Sequence, residues 1–156
     1  MIQLNTNRSN IVCHALLNST IREYDILLIT EPWYGDIGNG TKGPVSLTGW
    51  QPILPLPSVP ANVIPRAMAY IKNRPDFTVT LRSDLAMDAD IQILQINQGT
   101  HTPTILVNMY NQRAGEDPSN WSSDRLFNIE LPNGMPVVIS GDMNLHHPMW
   151  SNTAEN

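Results

Sequence analysis

The sequence predicts a mixed α/β fold of the α+β type. A short, continuous apolar run within residues 25–30 is typical of a strand that is buried on both sides. A helix-like segment precedes this run and an alternating segment opens the chain, which gives the order strand, helix, strand. After residue 65 come several short, alternating or β-branched segments, each bounded by Pro, Asp, Gly or Thr. These three observations together indicate a layered fold rich in strands and loops.

The first three elements have distinct signals. Residues 1–5 alternate between apolar and polar types, so we expect a strand there. Ser9 is the predicted N-cap of the first helix, because its hydroxyl can accept a hydrogen bond from a free N–H group of the first turn. Residues 25–30 then form the second, buried strand. We expect the apolar face of the helix to comprise Ile11, Val12, Ala15, Leu16 and Leu17.

The middle of the chain is predicted to be irregular and its last part to be rich in strands. Glycines and prolines are concentrated in residues 31–65, so we expect a long loop with one short edge strand near 51–54. Loops of this length in compact domains are often functional. Strands are predicted at 67–72, 77–81, 90–97 and 104–110. A second helix is predicted to run through Leu131, with Ser122 or Ser123 as its N-cap, and a last buried strand follows at 135–140.

Length and composition exclude several classes of protein. The 156 residues suit one domain, and the single cysteine, Cys13, cannot form an internal disulfide. The longest unbroken aliphatic run, 26–29, is far shorter than the roughly 20 residues of a membrane helix, and no secretory signal is evident. We therefore expect a soluble, intracellular protein without a membrane partner. A net charge of −5 argues against a non-specific basic nucleic-acid binder, but a bound cation could supply positive charge at a site.

Polar side chains follow four of the predicted strands, at the point where each strand ends. Strand ends deliver functional groups to a crevice, because the sheet fixes the backbone while the loops stay open. Residues i and i+2 of a strand project to one side, so each pair two residues apart is expected to share a face. Carboxylate and amide oxygens suit Mg²⁺ or Mn²⁺ better than zinc. The candidates are Asn5 and Asn7, Glu31, Tyr110 and Asn111, and Asp142 and Asn144.

Each candidate also has an ordinary structural explanation. Asn5 could simply end a strand, and Glu31 could be an exposed loop carboxylate. Tyr110 could be a core ring with its hydroxyl in water, and Asp142 could belong to a plain turn. The joint arrangement of the candidates after successive strands favours the functional interpretation.

The motifs together resemble the endonuclease/exonuclease/phosphatase superfamily. They are LNTNRS near the start, LLITEPW at the second strand, VNMYNQ, and VVISGDMNLHHPMW. The continuation HHPMW after GDMN, together with EPW, resembles more narrowly the apurinic-type endonuclease domain of non-LTR (LINE-type) retrotransposons. The segment RAMAYI resembles the strand that follows the variable loop of this family. The resemblance covers residues 2–150.

The resemblance implies a fold, a reaction and a setting. The fold would be a four-layer α/β sandwich of the DNase I-like kind, in which two mostly antiparallel sheets are flanked by helices. The reaction would be Mg²⁺-dependent hydrolysis of phosphodiester bonds, with Mn²⁺ as a substitute, in DNA as the substrate. Nicking would leave a 3′-hydroxyl that primes reverse transcription. As a retroelement product, the protein would act in the nucleus.

The resemblance also assigns roles to individual residues. Glu31 resembles the carboxylate that binds the metal, and Asn5 resembles the neighbouring asparagine that helps to hold the metal site. Asp142 resembles the aspartate that orients and deprotonates the attacking water. Asn144 resembles the asparagine that positions this aspartate and the scissile phosphate. Tyr110 resembles the tyrosine that donates a hydrogen bond to a phosphate oxygen.

Three further residues are candidates for support around this site. They are His146, His147 and Asn7. One of the two histidines could buttress Asp142, and an ordinary packing role is the alternative for both.

The chain departs from the family pattern at its end. The family pattern continues after GDxN with further strands, another aspartate and a closing Ser-Asp-His motif, whereas this sequence ends six residues after Trp150. We therefore expect a single domain over 1–156 that is C-terminally incomplete, with an exposed sheet face that favours self-association. One alternative is an inactive α/β remnant that at most binds metal or nucleic acid. Another is a superfamily enzyme that acts on a lipid or inositol phosphate.

Overall fold

The protein has an α+β fold in which strands predominate. A computed structural model describes residues 1–20, 23–111 and 121–144. The strands are β1 (Ile2–Asn5), β2 (Ile26–Thr30), β3 (Tyr34–Gly38), β4 (Thr41–Pro44), β5 (Trp50–Ile53), β6 (Ala67–Lys72), β7 (Phe77–Leu81), β8 (Ile91–Gln98), β9 (Thr104–Tyr110) and β10 (Val137–Asp142). The helices are α1 (Asn10–Thr20) and α2 (Ser122–Phe127). None of the helices in these ranges is long and apolar enough to cross a membrane.

The strands of the described residues form two four-stranded sheets and one hairpin. The N-terminal sheet has the order β1-β2-β6-β5, and the C-terminal sheet has the order β10-β9-β8-β7. Both sheets follow the same plan, since each begins with a parallel pair (β1 with β2, β10 with β9) and continues with antiparallel pairs. Strands β3 and β4 form the separate hairpin. The parallel pairs matter for the site, because both of their strands end at the same edge.

Alternating side chains of the central strands build the core on both faces of each sheet. Successive residues of a strand face opposite sides of the sheet. Both faces are covered at β2, so β2 is buried at every position. The two sheets pack against each other through Ile26, Leu28, Ala69, Ile71, Leu94 and Leu106. The other face of the N-terminal sheet packs on α1 through Leu27, Ile29, Met68 and Tyr70 with Cys13, Leu16 and Leu17. The other face of the C-terminal sheet packs on Leu126 of α2 through Ile91, Ile93, Ile105, Val107 and Met109.

Two buried amides join the sheets by hydrogen bonds. Asn108 of β9 donates through Nδ2 to the carbonyl oxygens of Ile29 (3.2 Å) and Met68 (2.9 Å). Gln92 of β8 donates through Nε2 to the carbonyl oxygen of Ile53 at 2.7 Å. Since both amides lie in an otherwise apolar interface, these directional bonds fix how one sheet sits on the other.

Most predicted strands are confirmed. The strands at 67–72, 77–81 and 104–110 have the predicted bounds, and those at the start of the chain and at 90–97 agree within one residue. The edge strand expected near 51–54 is β5. The prediction of a loop was wrong for 34–44, where β3 and β4 form a hairpin around Gly38, Asn39 and Gly40. Gly38 at the end of β3 and the turn residues Asn39 and Gly40 all have positive φ, which glycine and asparagine tolerate best.

The predicted apolar face of α1 was partly wrong. Cys13, Leu16 and Leu17 are buried, whereas Ile11 is 81% exposed and Val12 and Ala15 are also exposed. The spacing i, i+3, i+4 of the buried residues selects one stripe of the helix, and the exposed three lie off that stripe. Ser9 does cap the helix, since its Oγ accepts the N–H of Val12 at 3.3 Å.

Two predictions for the last third also need correction. Helix α2 begins at Ser122, so its N-cap is Trp121 rather than Ser122 or Ser123, and the Trp121 side chain makes no capping hydrogen bond. It ends at Phe127 rather than Leu131, because Asn128 caps it and donates through Nδ2 to the Asp124 carbonyl at 3.0 Å. The last strand is not buried at its start. Residues 137–139 are 40–50% exposed, since β10 pairs only with β9 within the described ranges and forms the edge of its sheet. Strand β10 also runs two residues further than predicted, to Asp142.

Candidate functional site

Four strands end at one edge, which we call the site edge. Strands β1 and β2 end at Asn5 and Thr30, with Glu31 following directly. Strands β9 and β10 end at Tyr110 and Asp142, which are partners in the parallel register. Because the two sheets pack face to face, the ends of both parallel pairs come together there. The site edge therefore gathers polar residues that are distant in the sequence.

The side chain of Asn5 bridges the two carboxylates of the site edge. Its Nδ2 donates to Asp142 Oδ2 at 2.7 Å and to Glu31 Oε2 at 3.2 Å. The bond to Asp142 spans 137 positions of the sequence and joins the two sheets. The Asn5 oxygen is turned away, since Oδ1 accepts the backbone N–H of Asn7 at 2.8 Å. Asn5 thus holds the two acids close together through its NH₂ group.

Glu31 is fixed in an unusual backbone conformation. Its φ is +46°, in the left-handed region that non-glycine residues rarely adopt. Its N–H donates to the Arg66 carbonyl at 2.8 Å, and its carbonyl accepts the Thr6 hydroxyl at 2.8 Å and the Arg8 N–H at 2.7 Å. The side chain is only 12% exposed, and Arg8 Nη2 lies 3.9 Å from Oε1. Glu31 is therefore a held, partly buried acid rather than an ordinary exposed loop carboxylate.

Residues with a left-handed backbone conformation are concentrated at the site edge. Asn7, Arg8, Glu31 and Asn144 have φ between +46° and +55°. The remaining non-glycine residue with positive φ in the described ranges is Asn39, in the β3–β4 turn. Such conformations cost about 1–3 kcal/mol each and persist where the surrounding structure enforces them, commonly at functional sites.

The left-handed conformations also show that one prediction was wrong: Asn7 does not share a strand face with Asn5, nor Asn144 with Asp142. Asn7 and Asn144 follow the ends of β1 and β10 and do not continue the extended backbone. The Asn7 side chain is exposed, and its backbone N–H makes the contact with Asn5. The Asn144 N–H donates to Asp142 Oδ1 at 3.1 Å. Asn144 therefore reaches Asp142 through its backbone rather than by sharing a strand face.

Gly141 is what allows Asp142 to sit against Tyr110. A Cβ at Gly141 would lie 1.9 Å from the Met109 carbonyl oxygen, and its φ of +153° also disfavours a side chain. The two strands therefore approach more closely here than any other residue would permit. The carboxylate that follows is held at both oxygens, Oδ2 by Asn5 and Oδ1 by Asn144.

Asn111 connects the segments around Asp142. It is buried, its N–H donates to the Asp142 carbonyl at 2.8 Å, and its Nδ2 donates to the Met143 carbonyl at 3.1 Å. Its own carbonyl accepts a hydrogen bond from Asn144 Nδ2, and its Oδ1 accepts the Ser123 N–H at 3.4 Å. Asn111 thus connects the end of β9 to the GDMN segment and to the start of α2 by hydrogen bonds.

Tyr110 is buried at 5% exposure and is held from three sides. Its N–H donates to the Asp90 carbonyl at 2.9 Å, and its carbonyl accepts the Ser122 hydroxyl at 2.6 Å. The Arg66 guanidinium carbon lies 5.1 Å from the centre of the ring. Tyr110 is therefore held in place, and its backbone pairs with that of Asp142 in the parallel register.

The acids of the site edge suit a hard divalent cation. In the part of the chain that the structure describes, no group of three or more His, Cys, Asp or Glu residues could hold a metal ion, and the site edge offers two acids, Glu31 and Asp142. Mg²⁺ is commonly held by one or two carboxylates, with water and substrate oxygens completing its coordination. The donor set fits Mg²⁺ or Mn²⁺ and lacks the nitrogen or sulfur ligands that zinc prefers. The predicted supporting residues His146 and His147 lie outside the described residues.

Comparison with protein-family models, with curated proteins and with solved structures finds no match for the chain. The family resemblance inferred from the motifs therefore remains a prediction.

Sequence reasoning missed several residues that shape the site. Thr6 and Arg8 lie inside the LNTNRS motif, yet only the left-handed turn shows that both bond the Glu31 carbonyl. Arg66 precedes the predicted strand at 67–72, but no local pattern pairs it with Asp90 or Tyr110. A search for charged residues immediately before buried strands would have found Arg66 and Asp90 without showing that they meet.

Proposed function

We propose that this protein is a metal-dependent DNA endonuclease domain of retrotransposon origin, which hydrolyses phosphodiester bonds with Mg²⁺ or Mn²⁺. The observation that carries the proposal is the bridge from Asn5 to Glu31 and Asp142. Two acids from different sheets, held together by one amide, provide a place for a cation and a proton acceptor side by side. Hydrolysis of a phosphodiester needs both.

Glu31 is the residue that would hold the cation. A bound Mg²⁺ supplies Lewis acidity and neutralises charge on the phosphate. Two backbone hydrogen bonds and one from the Thr6 hydroxyl fix the turn that carries Glu31, so its carboxylate is aimed before any ligand arrives. Asn5 keeps Oε2 directed toward Asp142.

Asp142 is the proposed proton acceptor for the attacking water. Each of its carboxylate oxygens accepts one hydrogen bond, from Asn5 and from Asn144, and each keeps a further lone pair for a water proton. The two bonds orient the carboxylate without neutralising it. The close approach of the strands at Gly141 and the pairing of Asp142 with Tyr110 fix the position of Asp142 at the site edge.

Neutral and cationic donors complete the proposed site. Tyr110 and Asn144 would donate hydrogen bonds to phosphate oxygens, which stabilises developing negative charge in the transition state. Arg8 is 55% exposed at the rim of the site edge and can approach a phosphate of the DNA backbone. The protein would need few such cations, because a bound metal would supply the positive charge at the reacting phosphate.

The layering of the chain supports the finer fold assignment that accompanies this proposal. The α1 helix packs on the N-terminal sheet, the sheets pack on each other, and α2 packs on the C-terminal sheet. This order corresponds to the helix–sheet–sheet–helix arrangement expected of a DNase I-like sandwich. The assignment of DNA as substrate and of action in the nucleus is supported by the motif resemblance.

Nicking of supercoiled plasmid DNA tests the proposal. We expect the wild type to nick in Mg²⁺ and to stop when the metal is chelated. Asp142→Ala should lower the rate by at least about 100-fold, because it removes the proton acceptor, and Glu31→Gln should act similarly by weakening metal binding. Asp84→Ala removes a carboxylate that is 61% exposed and pairs with Arg82, so it should leave nicking unchanged.

The same assay separates the proposal from its main alternative. If the wild type nicks no faster than Asp142→Ala, the chain is not an endonuclease. Binding of Mn²⁺ or of labelled DNA by such an inactive wild type would then favour the remnant that only binds metal or nucleic acid.

A further inference from the structure

Arg66 contacts both halves of the proposed site, although neither the motifs nor the proposed reaction gives it a role. Its carbonyl accepts the N–H of Glu31 at 2.8 Å and thereby holds the left-handed turn. Its own N–H donates to the Ala89 carbonyl at 2.8 Å. The backbone of Arg66 is thus fixed between the turn that carries one acid and the segment that leads into β8.

The side chain of Arg66 reaches Tyr110 in the other sheet. Its Nε and Nη2 donate to Asp90 Oδ1 and Oδ2 at 2.6 and 2.7 Å, which is a two-pronged pair. This pair holds the guanidinium over the Tyr110 ring, with its central carbon 5.1 Å from the ring centre. The Asp90 side chain is 7% exposed and that of Arg66 is 26% exposed, so the charges are poorly screened by water.

A second arginine closes the network around Tyr110. Arg125 donates from Nη2 to Asp90 Oδ2 at 2.6 Å and from Nε to Asp88 Oδ2 at 2.7 Å. Its Nη2 also lies 3.2 Å from Ser122 Oγ, which in turn donates to the Tyr110 carbonyl. Burial alone would lower the pKa of Arg125, but the bonds and charges of Asp88 and Asp90 outweigh it and raise that pKa. Arg125 therefore stays charged.

We propose that Arg66 is a positioning residue of the endonuclease, which holds and polarises Tyr110 for its contact with the scissile phosphate. The inference rests on the proposed function. A cation over the ring draws electron density from it, so the Tyr110 hydroxyl becomes a stronger donor to a phosphate oxygen. The planar fork also stops the ring from shifting, which matters because a displacement near 1 Å can cost about 100-fold in rate. Lysine cannot reproduce the fork.

The chain offers a matched control. Arg74 also makes a two-pronged pair, with Asp76, and its guanidinium carbon lies 5.8 Å from the Phe77 ring centre. This second pair is more exposed and contacts none of the site residues. Arg66→Lys and Arg74→Lys therefore make the same chemical change with and without Tyr110 beneath the cation.

The test is a double-mutant cycle on plasmid nicking with Arg66→Lys, Tyr110→Phe and the two combined. We expect Arg66→Lys to lower kcat between about 10-fold and 100-fold, with KM for DNA and the Mg²⁺ requirement unchanged, and Arg74→Lys to stay near wild type. In the Tyr110→Phe background, Arg66→Lys should have no further effect, because the hydroxyl that it serves is gone. Thermal unfolding of each variant separates these effects from loss of fold.

Asp90→Asn is a second, independent test, since it weakens the two-pronged pair with Arg66 but leaves the Arg66 guanidinium in place. It should reproduce the fall in kcat and its dependence on the Tyr110 hydroxyl. The proposal is overturned if the effects of Arg66→Lys and Tyr110→Phe multiply, or if Arg66→Lys acts no more strongly than Arg74→Lys. Absence of nicking in the wild type would instead reject the endonuclease itself, and this inference with it.

Discussion

Asn5 shows how one uncharged side chain can organise two acids. Without its NH₂ group, Glu31 and Asp142 would face each other with like charges and no common donor. Asparagine suits this position because it donates to both carboxylates and still accepts the Asn7 N–H through its oxygen. The same residue therefore fixes the turn after β1 and the geometry of the acids.

Asn5→Ala should therefore reduce nicking by about 100-fold or more, since both acids lose their shared donor and move apart. The exposed asparagine Asn18 of α1, whose Nδ2 bonds the His14 carbonyl, is the control, and Asn18→Ala should retain nearly full activity. Isothermal titration with Mn²⁺ would accompany the rate measurement. Unchanged nicking in Asn5→Ala would show that the bridge is incidental to function.

At the scale of single residues, the sequence predicted which side chains gather and missed how they are held. Asn5, Glu31 and Asp142 were expected at strand ends because polar residues follow apolar runs there. The left-handed turn at Glu31 was not expected, since glutamate rarely adopts positive φ and the enforcing bonds come from distant segments. The pairing of Arg66 with Tyr110 spans two sheets and leaves no local pattern.

At the scale of elements, the join between β9 and β10 depends on Gly141. Gly141→Ala should destabilise the protein by at least about 2 kcal/mol and suppress nicking, because the new Cβ would collide with the Met109 carbonyl and push Asp142 away from Tyr110. Gly134→Ala is the matched control. Gly134 also has positive φ (+78°), but a Cβ there meets nothing within 4 Å, so only about 1 kcal/mol of backbone strain is expected. Urea unfolding measures both; equal losses would contradict the steric argument.

The strands were more predictable than the helices and the hairpin. Strands β6, β7 and β9 were located from alternation because one or both of their faces enter the core. The hairpin of β3 and β4 was missed because its glycine-rich composition also describes a loop, and its strands are largely exposed. The early end of α2 depends on Asn128, whose side chain replaces a helical hydrogen bond.

At the scale of the whole molecule, β10 presents an apolar edge in the described part of the chain. Val137, Val138 and Ile139 are 40–50% exposed, and no charge or proline interrupts the strand before Asp142. Unpaired strand edges of this kind favour pairing with another copy. We therefore expect concentration-dependent self-association, measured by size-exclusion chromatography with light scattering.

Substitutions on two exposed surfaces test this expectation. Val138→Lys should shift the protein toward the monomer, because a charge on the edge disfavours strand pairing. Ile11→Lys changes a residue that is even more exposed, but α1 satisfies its own backbone groups, so self-association should persist. A monomer at every concentration would reject the role of the β10 edge.

The bridge between Asn5 and Asp142 also bears on when the proposed site forms during synthesis. The chain leaves the ribosome from its N-terminus, so Asn5 and Glu31 are available long before Asp142 exists. Closing a contact across 137 positions carries a large entropic penalty until the intervening strands have paired, which makes such a contact a late event in folding. The nascent chain therefore passes through most of its folding with its two acids apart. The proposed catalytic pair is completed only when the last described strand docks.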